Sequence, residues 1–195
     1  MNILLDELPR TIEIDGVDHL IRCDYRTCIR IIMAFNNNEF TMQEKQFIML
    51  SLLYHDIPEN IQLAADNAIW FLDGGTDREE DEVGEQQKPL YSFSNDASYI
   101  YSAFRQTHGI DLQNTDLHWW KFIALFMDLG SDTTFTNIVG LRKRYRDGTA
   151  TKEEKKIINE MGDVFDVPEF DNRTLDEKVE EYEALERWKA NSINS

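Results

Sequence analysis

Residues 116–129 read D-L-H-W-W-K-F-I-A-L-F-M-D-L, and the spacing predicts a helix over 117–129. At 100° per residue, the apolar side chains Trp119, Trp120, Phe122, Ile123, Leu125, Phe126, Met127 and Leu129 sweep roughly 220° of its circumference, about twice the stripe a surface helix needs. Such a helix must be covered on more than one side. No nucleophile, metal cluster or phosphate loop accompanies it, which points to packing and partner binding rather than to chemistry.

Upstream, residues 10–23 carry the one persuasive strand signal. Thr11-Ile12-Glu13-Ile14 alternates, Asp15-Gly16 supplies a tight turn, and Val17 to Arg22 returns with apolar and β-branched residues, so a hairpin is expected. From Asp24 the apolar residues recur at helical steps through Phe35. A second helix opens at Thr41, where Glu44 completes a capping box, and it stops before Pro58. A third covers about 59–72 and ends at Gly74-Gly75. Residues 73–89 hold seven acids against Arg78 and Lys88 and read as a solvated linker or loop, which either divides two helical lobes or lies within one domain. Beyond it, Ser94 is expected to cap a helix over about 95–107, and Thr115 or Asp116 to cap the tryptophan helix. Further helices are expected from about Thr134 to Arg144, after Thr151, where Glu154 again makes a capping box, and from Leu175 to about Ala190 after Thr174. The fold class is thus mainly α, a helical domain with a short N-terminal β-hairpin. Its parts are a hairpin plus three helices (1–72), an acidic linker (73–89), an aromatic-rich helical lobe (90–147) and charged C-terminal helices (148–195).

Composition limits what such a chain can do. With 195 residues, 42% of them hydrophobic, it can bury a core of one domain or one domain plus a short appendage. Its apolar runs fall well short of the ~18 residues needed to span a bilayer, so no membrane association is expected. Met1 to Leu5 is followed at once by Asp6 and Glu7, which does not resemble a secretory signal. Cys23 and Cys28 have no second Cys or His pair at zinc-binding spacing and are expected to be reduced thiols. A net charge of −17 repels nucleic acid over most of the surface and leaves a cationic partner open.

The candidate site residues are therefore sought among partner contacts. His19, His55, His108 and His118 are scattered and form no metal-binding pair, and Asp96, Asp111, Asp116 and Asp128 have no matching base and read as helix-capping or solvated acids. No enzyme activity, catalytic residue, metal or cofactor is expected. Trp119, Trp120, Phe122 and Phe126 are expected to be largely core, with Trp120 as the member that faces a partner on one flank. Arg142 and Arg144 belong to a basic stretch, 142–156, that stands out on an acidic chain and offers a docking patch for an acidic partner, or a solvated turn that offsets self-repulsion.

A resemblance runs through these same residues. The D-G hairpin, the acidic spacer, then S-x-D-A-x-x-I-Y-x-A-F (94–104), G-I-D-L (109–112), L-H-W-W-K-F-x-A-L (117–125) and I-x-x-L-R (138–142) make the chain similar to the bacteriophage gene-product-fifteen family of long-tailed phages and prophages of Gram-positive bacteria. The likeness is most specific from Ser94 to Arg142 and weak over the final 50 residues. It implies a tail assembly chaperone in the host cytoplasm that binds the tape measure protein and recruits the tail tube protein, with self-association possible; the alternative is a structural component of the mature tail or neck. The family brings no catalytic residues to carry over.

Overall fold

A computed structural model describes residues 2–76, 89–162 and 165. Strands β1 (Thr11–Ile14) and β2 (Val17–Leu20) pair antiparallel with Thr11 opposite Leu20 and Ile14 opposite Val17. Asp15 and Gly16 both take positive φ, 50° and 79°, as a two-residue hairpin turn requires. The alternation then sends Ile12 and Ile14 inward.

Three helices follow: α1 (Tyr25–Phe35), α2 (Met42–Leu53) and α3 (Ile61–Leu72). Each starts where a side chain accepts an otherwise unpaired N–H: Asp24 from Thr27, Thr41 from Glu44, Asn60 from Leu63. The capping box expected at Thr41 is present, with Glu44 returning a bond to the Thr41 N–H at 2.7 Å. At the other end of α2, Arg22 donates to the Ser51, Leu52 and Tyr54 carbonyls and so ties the hairpin's exit to the helix terminus. After α3, Gly74 and Gly75 turn the chain through positive φ.

The second half comprises α4 (Ala97–His108), α5 (Trp119–Met127), α6 (Thr134–Arg146) and α7 (Lys152–Met161). The architecture is mainly α, seven helices and a two-stranded hairpin among the described residues. The parts on either side of the acidic stretch share one core, in which Cys28, Leu53 and Phe71 lie in the same buried cluster as Phe104, Trp119 and Phe122. Helix α1 packs on α2 and α5, and α4 on α5 and α6. A smaller cluster of Leu141, Ile158 and Phe165 seats α7 on α6. The helix expected over 175–190 lies outside the described residues, as does most of the acidic stretch.

Two helix starts differ from expectation, the first because of a local turn and the second because of a tertiary contact. Ser94 does not cap α4; the chain from Ser92 to Asp96 forms a turn in which the Ser92 Oγ accepts from Ser94 and Asn95, and the helix begins at Ala97. The α5 cap is His118 rather than Thr115 or Asp116, because residues 117–119 are held extended against 23–25 by Tyr25 N–H to Leu117 O and Trp119 N–H to Cys23 O, at 3.1 and 2.7 Å.

The acid at Asp96 is neither solvated nor a side-chain cap. It is buried in a two-pronged ion pair with Arg142, Oδ2 to Nη1 at 2.7 Å and Oδ1 to Nη2 at 3.0 Å. Arg142 also donates to the Leu90 and Phe165 carbonyls. One guanidinium thereby joins α4, α6, the approach to α4 and the residue beyond α7, and its fork geometry suits that task as a lysine would not. Asp96→Ala would leave a buried guanidinium without its counter-ion and is expected to cost about 3–5 kcal/mol in urea unfolding, while Asp96→Leu with Arg142→Met is expected to lie closer to wild type.

Candidate functional site

Helix α5 is the element around which the candidate site is built. Its first turn depends on His118, whose Nδ1 accepts from the Trp120 N–H at 3.1 Å while Nε2 lies 2.9 Å from the Pro9 carbonyl. Those two bonds require the neutral ring with its proton on Nε2. Burial lowers the His118 pKa below the ordinary 6.5; the bond to Pro9 opposes this, and the Arg10 and Lys121 charges add to it.

Inside the fold, Phe122 is the hub of an aromatic cluster. It is 1% exposed and stacks on Tyr25 and Phe104, each at 4.9 Å between ring centres, and on Trp119 at 5.6 Å. Trp119 donates its indole N–H to the Leu72 carbonyl and Trp120 donates to that of Phe71, both at 2.8 Å.

The expectation that Trp120 faces a partner is corrected here: it is only 5% exposed. Trp70 meets it edge-on at 5.5 Å and Phe71 stacks on it at 5.8 Å. Gly75 crosses so close that a Cβ there would stand 2.6 Å from Cη2 of the indole, with φ at +78° besides. Trp119 and Phe122 are likewise core, whereas Phe126 is half-buried. Arg142, read as part of a basic docking patch, is withdrawn from the surface by Asp96 and is 5% exposed. Arg144 stays at the surface and pairs with Glu154 of α7 at 2.7 Å. The named candidates therefore do not form one site.

What remains open on α5 is the flank that carries Ile123, Ala124, Phe126 and Met127. A cleft of about 340 Å³ lies between this flank, the ends of α1 and α3 at Ile32 and Leu72, and the stretch Pro89–Phe93. Among the described residues of its lining, Asn36 supplies the amide and Asp73 the carboxyl group. A second hollow of about 320 Å³, bounded by Ile3, Gly75, Trp120 and Ala124, shares Asp73 and Ile123 with the first. A third, beside His118 and Lys121, shares Ile3 with the second. The first two make a groove along α5, while the third, lined by Asp6, Glu7, Arg10 and Lys121 among others, is largely charged. Met127 at the groove's edge is 79% exposed, and Leu4, Leu5 and Tyr91 are exposed as well. An apolar surface of this kind marks a place for another chain more often than for a small polar ligand, which would need convergent polar groups.

Among the described residues the arrangement offers apolar contact surface. Among the described residues no three His, Cys, Asp or Glu side chains could hold a metal ion, and no helix is long and apolar enough to cross a membrane. Cys23 and Cys28 are both free thiols, and burial pushes that of Cys28 far up. Ile123, Met127 and Asp73 are the groove residues that sequence reasoning did not single out. The 220° arc included the first two, but the weight fell on the aromatic members that the core claims.

The chain matches the family described as Bacteriophage Gp15 protein over residues 4–167. It belongs to that family. The match takes in the hairpin and the seven helices of the described residues, with every residue that lines the first cleft and both members of the Asp96–Arg142 pair. No curated protein and no solved structure matches it.

The His118 cap of this phage protein makes its stability sensitive to mild acid. Since the folded-state pKa lies below the unfolded value of about 6.5, stability from this group is full above that pH and declines as the pH falls toward the folded pKa, because the unfolded chain takes up the proton first. Urea midpoints at pH 7.5 and 5.5 are expected to differ more for the wild type than for His118→Asn, which caps without titrating.

Proposed function

We propose that this phage protein is a tail assembly chaperone. It binds the tape measure protein without covalent chemistry, promotes assembly of tail tube protein around it, and works in the host cytoplasm while the phage is built. The observation that carries this reading is the open apolar groove along α5, on a helical chain of net charge −17 from a bacteriophage family. A tape measure protein is a long helical chain with apolar stripes. A helper for it needs a side-chain surface that covers such stripes and enough charge of one sign to keep the pair dispersed. The free flank of α5 supplies the first and the acidic composition the second.

The test uses co-expression with the tape measure protein of the same phage. The variant Ala124→Gln with Met127→Gln alters two exposed side chains, so it is expected to keep the wild-type melting temperature while recovery of the tape measure protein falls at least tenfold. Binding through apolar contact is expected to weaken only modestly between 0.1 and 0.5 M salt, and a steep loss would move the contact to the charged surfaces. Mass spectrometry of purified virions is expected to find the chain well below tail-protein stoichiometry; full stoichiometry would make it a component of the finished particle instead.

A further inference from the structure

The N-terminal hairpin leaves the outer edge of β1 open. Ile21 donates its N–H to the Arg10 carbonyl at 3.0 Å, so these two are a hydrogen-bonded pair of the ladder, and the alternation makes Thr11–Leu20 and Glu13–Asp18 the pairs that exchange no bonds. The N–H and C=O groups of Thr11 and Glu13 therefore point away from β2. On β2 the corresponding groups are partly taken, because the Leu20 carbonyl accepts from the His55 N–H at 3.0 Å. On β1 they are not: among the described residues the outward groups of Thr11 and Glu13 have no partner, and both residues are exposed. Unpaired main-chain groups in a native protein face water, and a row of them along a strand is a template for one more strand.

Charge decides which strand fits. Glu13 stands opposite Asp18 on the outer face of the hairpin, in the register that brings facing side chains closest, and like charges so placed repel. Neither acid has an ion-pair partner among the described residues. No Lys or Arg occurs from 11 to 20, Arg10 lines the hollow beside Lys121, and Arg22 is turned onto the carbonyls that end α2. A cation laid beside the pair would relieve it, whereas a second copy would bring the same acids on a chain of net charge −17. We infer that the edge of β1 takes an extended basic segment of another protein, which bonds to the Thr11 and Glu13 backbone as an added strand and sets a Lys or Arg beside Glu13, within reach of Asp18. No residue of either strand lines the α5 groove, so the inference is independent of what that groove binds.

Three labelled peptides of about eight residues, long enough to overhang the four-residue strand at both ends, test it when titrated with the full chain and followed by fluorescence anisotropy. One alternates Val and Lys; one has the same sequence with its backbone nitrogens methylated; one has Glu in place of Lys. The first is expected to bind at least tenfold tighter than either of the others, and to protect the Thr11 and Glu13 amides from hydrogen exchange, read by nuclear magnetic resonance. Its binding is expected to fall at least tenfold with Glu13→Gln plus Asp18→Asn, and as much with Thr11→Pro, which removes an outward N–H and keeps both acids. Each variant is first shown by circular dichroism to melt as the wild type does, and the methylated peptide carries the backbone test should Thr11→Pro fail to fold. Equal binding of the methylated peptide, or binding that leaves the two amides unprotected, overturns the inference, because the contact is then a general attraction to an acidic chain. Dimerisation of the chain that Thr11→Pro abolishes overturns it as well, since the edge then belongs to a second copy.

Discussion

Two hydrogen bonds hold this structure in its particular shape: the indole N–H groups of Trp119 and Trp120 on the carbonyls of Leu72 and Phe71. A helix end leaves its last carbonyls without intrahelical partners, and burying them unpaired would cost free energy comparable to a lost hydrogen bond. At α3 the Leu72 carbonyl is met by a donor 47 residues further along the chain, and the Phe71 carbonyl, which also accepts from the Gly74 N–H, by one 49 residues further, so one pair of contacts caps α3 and seats α5 on it. The indole bodies bury apolar area in the same act. Capping and hydrophobic burial therefore act on the same two residues.

The orientation of α5 follows from that seating. With Trp119 and Phe122 turned into the core and Trp120 turned onto Trp70 and Phe71, the rest of its wide apolar arc has nowhere to go but outward along the groove. One helix thus serves as core and as contact surface on adjacent flanks. Exposure, not residue type, separates the two roles: Phe122 is an aromatic anchor of the fold, and the unbranched, adaptable Met127 stands free at the groove's edge. The Asp96–Arg142 pair adds a second constraint, since the same guanidinium that holds the carboxylate also holds the Leu90 carbonyl on the groove wall.

Local signals were legible where a few neighbouring residues decide the outcome. The Asp15-Gly16 turn and the capping boxes at Thr41 and Thr151 appear where the residues announce them, since each is closed by groups three or four positions apart. The failures share a cause. His118 displaces Thr115 and Asp116 as a cap because a distant segment holds residues 117–119 extended, and Asp96, at the N-cap position of α4, turns its carboxylate away from the helix because Arg142 lies 46 residues away in sequence and beside it in space. Gly74-Gly75 was readable as a helix stop. Its second effect, the close pass over the Trp120 ring, was not, because nothing in a linear pattern says which side chain a turn will cover.

By itself, the order of residues determined a mainly helical chain with an N-terminal hairpin, an acidic break and one helix too apolar to lie on a surface, because periodicity, turn chemistry and composition are local quantities. Only the tertiary structure decided which part of that helix is sealed and which is open. Burial depends on what arrives from elsewhere in the chain, and here the end of α3 reaches the indoles first and leaves Ile123 and Met127 to face the groove.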